Sequence, residues 1–221
     1  MKVSVLIPTK NEPLINELIE EVHEVLKGYE HEVIVIDKSD VSPEIKNAKL
    51  VVQKSDGLGK AILEGLPHVT GDVIVTMDAD FSHDPKDLPK LIEEIDGHDI
   101  VIGSRFVPGG RNEDKMYRRF VSFLFTKIAS FILNLRVEDS MSGFAVIKRN
   151  VYEKLKLNPI GFKINTEILY KGKKLGFKTT EVPIMFRKRK AGKTKVGVSF
   201  SGLKEGFRIL RYVFELKLGL R

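Results

Sequence analysis

Short apolar runs alternate with helix-period stretches through the first hundred residues. Val3–Ile7 is apolar and β-rich and stops at Pro8, which predicts a buried strand. Leu14, Leu18, Ile19, Val22, Val25 and Leu26 recur at helical spacing and Gly28 stops them. Val33–Ile36 predicts a second strand, ending at Asp37, and Leu50–Val52 a third. Gly57-Leu58-Gly59-Lys60 opens a short helix through Leu66. Val73–Met77 predicts a fourth strand, Pro85–Ile95 a helix and Ile100–Ile102 a fifth strand. This alternation implies an α/β fold, a mostly parallel sheet with helices on both faces.

The pattern loosens after Val107-Pro108-Gly109-Gly110-Arg111-Asn112, a turn-rich break. Phe120–Leu135 is strongly apolar but short, and Lys127 interrupts it, so it reads as a core helix, a subunit-packing helix or a membrane-interface helix flanked by Arg118, Arg119 and Arg136. Phe144–Lys148 and Glu181–Phe186 predict strands, and Thr166–Leu175 a helix. Phe200–Leu218 predicts a basic amphipathic helix, with Phe200, Leu203, Phe207, Leu210, Val213 and Phe214 on its apolar face.

Charge changes the picture. Residues 1–100 carry 10 Lys, no Arg and 21 acids, whereas residues 101–221 carry 27 Lys and Arg and 9 acids. A basic second half suits an anionic partner: nucleic acid, a membrane surface or a phosphorylated substrate. The alternative is a solvated Lys-rich surface of the kind heat-adapted proteins carry. The chain has no Cys, which excludes disulfides, thiolate metal sites and a thiol nucleophile. The opening residues are too soon interrupted for a signal peptide, so the expected location is cytoplasmic.

Asp78-Ala79-Asp80 carries the candidate chemistry. Two carboxylates just past a buried strand sit where open α/β sheets bind ligands. Carboxylates are hard ligands that suit Mg²⁺ or Mn²⁺, usually serving a diphosphate. The plainer reading is a solvated loop, with Ser82 or Asp84 capping the helix that Pro85 opens. Gly57-Leu58-Gly59-Lys60 lacks the spacing of a phosphate loop and reads as a helix start. His83, three residues after Asp80, reads as a surface residue or one supporting the site from behind.

In order along the chain, the motifs resemble family 2 glycosyltransferases. Val5-Leu6-Ile7-Pro8-Thr9-Lys10-Asn11-Glu12 is similar to that family's opening, and Asp78-Ala79-Asp80-Phe81-Ser82-His83 to its metal motif, in the version found in dolichyl-phosphate mannose synthases. Gly103-Ser104-Arg105-Phe106, Asp139 to Phe144, Asn158 to Lys163, and Glu181-Val182-Pro183 followed by Arg189 and Gly192-Lys193-Thr194-Lys195 extend the match. The resemblance implies a GT-A fold over 1–198, with a nucleotide and metal half at 1–103 and an acceptor half at 104–198. Residues 199–221 would form a helix facing a membrane or a partner. It implies inverting transfer of a sugar, mannose from GDP-mannose first, to a polyprenyl phosphate at the cytoplasmic membrane face.

By the same resemblance Asp80 is the principal metal ligand, helped by Asp78, with Ser82 where some members place a further ligand. Pro8, Thr9, Glu12, Asp37 and Asp78 line the donor-nucleotide side. Arg105, Arg118, Ser122, Arg189 and Lys195 hold sugar and phosphate groups, Asp80 and Arg105 being the catalytic pair. Lys10 and Lys38 depart from the family pattern. An aromatic residue usually stands at the first, and at the second an Asp that accepts the base N–H, which a Lys cannot do. Either Asp40 replaces that acid, or Lys38 pairs with a phosphate.

The chemistry agrees. A phosphate monoester is already anionic at neutral pH, so a strong general base is unnecessary. Guanidinium forks suit phosphate oxygens, and every Arg lies at or beyond Arg105. Rival readings are transfer from a UDP-sugar, a phosphatase with an aspartyl nucleophile, and a nucleic-acid-binding module built on the basic half. The phosphatase motif belongs on a first strand, and no nucleic-acid recognition motif is present, so no nucleic-acid partner is expected. A separate membrane subunit is a further candidate partner.

Overall fold

The computed structural model describes residues 1–161, 163–190 and 200–220. Nine strands and seven α-helices follow one another among them: β1 (Lys2–Thr9), α1 (Ile15–Val25), β2 (Glu30–Asp37), β3 (Lys49–Val52), α2 (Leu58–Gly65), β4 (Val73–Thr76), α3 (Leu88–Glu93), β5 (Ile100–Ser104), β6 (Arg111–Asn112), α4 (Met116–Leu133), β7 (Ala145–Lys148), α5 (Arg149–Lys154), α6 (Ile164–Lys174), β8 (Thr179–Pro183), β9 (Met185–Phe186) and α7 (Phe200–Lys217).

Seven strands form one sheet in the order β3-β2-β1-β4-β7-β5-β8. All neighbours are parallel except β7, which runs antiparallel between β4 and β5. The buried runs explain the sheet: with both faces covered, strands need not alternate apolar and polar. Val3, Val5 and Ile7 of β1 pack with Leu18, Ile19, Val22 and Leu91 on one face. Leu6 and Ile34 face the opposite core with Ile62, Val151 and Ile168. The sheet changes direction of build between β1 and β4, the switch point at which such sheets bind ligands.

Several sequence expectations shift at their edges. The Pro85–Ile95 helix is a 3₁₀ turn (Pro85–Asp87), α3 and a second 3₁₀ turn (Glu94–Asp96). Pro85 and Pro89 both fall in first turns, where a missing N–H is tolerated. Asp84 provides the expected cap, its carboxylate accepting from Lys86 N–H at 3.2 Å. The expected strand over Glu181–Phe186 is two strands. Ile184 N–H makes the last bond of the β5–β8 ladder, to Ser104 O at 3.0 Å, and β9 then pairs with β6 in a separate ribbon. α4 begins four residues before Phe120.

α4, α6 and α7 enclose a third core of Ala129, Leu133, Tyr170, Ile209, Tyr212, Val213 and Leu216. The face of α7 differs from expectation: Val213 is buried, but Phe207 and Phe214 are 72% and 53% exposed. Tyr212 turns the helix, because its hydroxyl donates to the fully buried Glu167 carboxylate at 2.8 Å. Glu167 also accepts from Lys171 at 2.6 Å and from Asn158 N–H at 2.9 Å. Tyr212→Phe is expected to cost about 1–3 kcal/mol, the scale for stripping a partner from a buried charged group, measured by chemical denaturation. The expected boundary at 198/199 falls outside the described residues.

Candidate active site

The site grows from the end of β4. Phe81, buried beneath the Lys190 ammonium 3.7 Å from its ring centroid, has φ of 62°. A non-glycine residue held there stores roughly 1–2 kcal/mol. The turn brings Ser82 N–H back to Asp80 Oδ1 at 2.9 Å, and Asp80 stays near enough for its charge to act on Asp78.

His83 is buried, which removes its surface reading and leaves the one in which it supports the site from behind. Its Nδ1 accepts from Asp78 N–H at 3.0 Å. An amide can only donate, so the ring proton sits on Nε2, 3.8 Å from Asp78 Oδ2. The ring stacks on Phe144 at 4.9 Å and meets Phe186 edge-on. Burial pushes the His83 pKa down and keeps it neutral. Gly143 allows the close approach: a Cβ there would lie 3.3 Å from His83 Cε1 and 3.5 Å from Asp78 Oδ1.

The two carboxyls are driven apart. Burial pushes Asp78 above the usual carboxylate range, and Asp80 adds to the push. Burial acts on Asp80 too, but hydrogen bonds from Ser82 and Arg189 outweigh it and hold Asp80 below that range. Arg189 hydrogen-bonds the Asp80 carboxylate and stands 3.9 Å from Glu12 Oε1. The basic segment lies antiparallel across the metal motif: Arg187 N–H donates to Ser82 O at 2.8 Å and Lys190 N–H to Asp80 O at 3.2 Å. Arg187 pairs with Asp84 at 2.5 Å.

Arg105 is fixed from behind. Its Nε and Nη2 donate to the two oxygens of Asp139 at 2.7 and 2.8 Å, and its own amide adds a third bond at 3.0 Å. Asp139 is fully buried, and its amide donates to Glu181 at 2.8 Å. Burial alone would lower the Arg105 pKa, but Asp139 raises it above its ordinary value. Two of five guanidinium N–H donors are thus used on Asp139, leaving up to three for a ligand.

The remaining candidates spread along the same edge. Thr9, next to Pro8, pairs in register with Asp37, and its buried hydroxyl has no hydrogen-bond partner. Asp37 accepts from Ser39 N–H and Oγ at 3.1 and 2.5 Å. Arg118 and Ser122 lie one turn apart on α4, where Arg118 Nε donates to Tyr117 Oη at 3.2 Å. Phe123, next to Ser122 in sequence, meets Phe106 edge-on, and the Arg105 guanidinium lies over the Phe106 ring. Lys195 lies outside the described residues. Sequence reasoning missed Arg187 and Lys190 as neighbours of the metal motif and Asp139 as the anchor of Arg105. The extra positive charges of residues 187–190 were the available signal.

The residues fit a divalent cation. Asp80 lies close enough to act on Asp78, and the buried Ser82 stands beside Asp80. The described residues hold no group of three or more His, Cys, Asp or Glu able to bind a metal alone. Two carboxylates completed by substrate phosphates and water is how Mg²⁺ is usually held. Arg105, Arg187 and Arg189 are each paired with a carboxylate, on Asp139, Asp84 and Asp80.

The sheet order, its antiparallel insertion and the carboxylate pair at the switch point define a GT-A glycosyltransferase. Residues 4–156 match the glycosyl transferase family 2 domain, and the chain belongs to that family. It is 39% identical over 98% of its length to a dolichol-phosphate mannosyltransferase of Pyrococcus furiosus, 66% of which is covered. A polyprenol monophosphomannose synthase of Mycolicibacterium smegmatis is 35% identical over 65% of this chain and 57% of its own. A dolichyl-phosphate hexose transferase of Haloferax volcanii is 29% identical, with 99% and 96% covered. The chain therefore spans less than two thirds of the length of the first two. Among solved structures, a Mycobacterium tuberculosis glucosyl-3-phosphoglycerate synthase in complex with Mn²⁺, UDP and phosphoglyceric acid superposes with a TM-score of 0.72 at 21% identity, covering 99% of this chain and 78% of that one.

Proposed function

We propose that the chain transfers a hexose, mannose from GDP-mannose, to a polyprenyl phosphate at the cytoplasmic face of a membrane, with inversion. The observation that carries this reading is the Asp78–Asp80 pair faced by Arg189, with Arg105 held ready nearby. The names of the relatives support it.

Asp80, Asp78 and Ser82 would hold Mg²⁺ or Mn²⁺, which neutralises charge developing on a diphosphate leaving group. His83 and Gly143 orient Asp78 from behind. Glu12, Pro8, Thr9 and Asp37 border the donor. Arg189, lifted from Asp80, adds a fixed cation for the diphosphate or the incoming phosphate. Arg105, with Arg118 and Ser122 alongside, would orient the acceptor phosphate, whose oxygen attacks the sugar carbon opposite the departing diphosphate. The acceptor already carries negative charge, so none of these residues need remove a proton first.

A prenyl chain must be met at a bilayer. No helix among the described residues is long and apolar enough to cross a membrane. Phe120 and Phe131 of α4 are 65% and 88% exposed, and with Phe207 and Phe214 they would insert shallowly, aided by nearby cations. Purified protein with Mn²⁺ and anionic vesicles containing dolichyl phosphate is expected to float with the vesicles and to convert GDP-mannose to lipid-linked mannose. Glucose transfer from UDP-glucose instead would replace the donor. Failure to float with any lipid composition would overturn direct docking and point to a membrane subunit.

A further inference from the structure

The base-reading acid absent from position 38 has a substitute elsewhere on the same edge. Asp40 is already engaged: its Oδ2 accepts from Asn11 Nδ2 at 2.9 Å and its N–H donates to Asn11 Oδ1 at 3.1 Å. Asp37 is turned onto Ser39. Lys38 instead crosses to the loop after β3, where Nζ donates to Lys54 O at 3.0 Å and stands 3.5 Å from Asp56 Oδ1. The Asp56 carboxylate is 96% exposed.

This pair sits at the right distance. Asp80 follows β4, Lys38 follows β2, and β1 lies between them. Asp56 follows β3, one strand beyond β2, and two to three strand spacings amount to about 10–14 Å, on the order of the reach of a nucleoside diphosphate from its phosphates to the edge of its base. The backbone joins the ledge to the donor edge, since Lys38 N–H donates to Thr9 O at 3.0 Å and Gln53 N–H to Asp37 O at 2.8 Å.

We propose that Lys38 and Asp56 together read the donor base and select guanine over uracil. The inference rests on the donor being a nucleoside diphosphate sugar. An ammonium beside a carboxylate presents a donor next to two acceptors. Guanine offers the complement in the same order: O6 accepts, N1–H donates and the N2 amino group donates. Uracil matches at O4 and N3–H, but its O2 then faces the second oxygen of Asp56, acceptor against acceptor. Adenine and cytosine place a donor against the ammonium and an acceptor against the carboxylate.

Calorimetric titration of the full chain with GDP, UDP and ADP in the presence of Mn²⁺, with no acceptor lipid, tests this. GDP is expected to bind at least about tenfold tighter than UDP, a modest ratio for a solvent-exposed reader, with ADP weaker still. Asp56→Asn should remove or reverse the preference, because the carboxamide N–H₂ opposes the guanine amino group and can donate to uracil O2. Lys38→Met should weaken GDP and UDP alike and keep their order. Both side chains are on the surface, and unchanged melting temperatures would show that the fold is intact. An unaltered GDP-to-UDP ratio in Asp56→Asn, with both nucleotides still bound, overturns the assignment. So does a wild-type preference for UDP or ADP. Failure of the wild type to bind any nucleotide defeats the donor reading itself, and this inference with it.

Discussion

Asp80→Asn is expected to lower sugar transfer by at least about a hundredfold at saturating Mn²⁺, the scale for deleting a principal charge stabiliser. The change is nearly isosteric, so the turn held by Ser82 N–H on Oδ1 survives. What disappears is the negative charge that hydrogen bonds from Ser82 and Arg189 hold ionised. Burial raises the pKa of Asp78, so Asp80 is the more readily ionised of the two carboxyls. The measurement is steady-state transfer over a Mn²⁺ series, with circular dichroism as the control for folding. Turnover equal to wild type at any Mn²⁺ concentration would remove Asp80 from the metal site.

Asp139→Ala is expected to destabilise the fold by about 3–5 kcal/mol, the range for breaking a buried ion pair from one side. Asp139 is fully buried, takes three hydrogen bonds from Arg105 and ties that residue to the strand edge. Its loss leaves a guanidinium, 12% exposed, without its counter-charge. Urea denaturation gives the stability directly. A loss below about 1 kcal/mol would place the pair among solvent-screened ion pairs and deny Arg105 its rigid mount. Under conditions where the variant stays folded, weakened use of acceptor phosphate with donor binding retained would follow from a mispositioned Arg105.

The first hundred residues were legible because each element is bounded by its own punctuation. Apolar runs end at Pro8, Asp37 and Asp78, and Gly28 closes the first helix. The ordered motifs made the family legible and pointed to Asp78, Asp80 and Arg105. What the sequence hid was direction and long-range contact. Nothing in Ala145–Lys148 says that it runs antiparallel, since four buried residues suit either ladder. His83 is buried by Phe144 and Phe186, 61 and 103 positions further along. Arg189 meets a carboxylate 109 positions before it. The apolar face of α7 was misread because hydropathy ranks Phe214 above Tyr212, whereas a buried acceptor at Glu167 reverses that order.

The place of β7 bears on how the chain is made. β4 and β5 follow one another in sequence but are not neighbours in the sheet; β7 fills the slot between them. As the polypeptide leaves the ribosome, both strands emerge with the facing edges open, and open edges invite pairing with other chains. The slot closes only after Lys148 has been synthesised, 44 residues after Ser104. At about 5–20 residues per second, that is a delay of roughly two to nine seconds. During this interval the nascent half-sheet is a natural client for a chaperone, and the strand that shields it is the one whose approach also delivers Gly143 to Asp78.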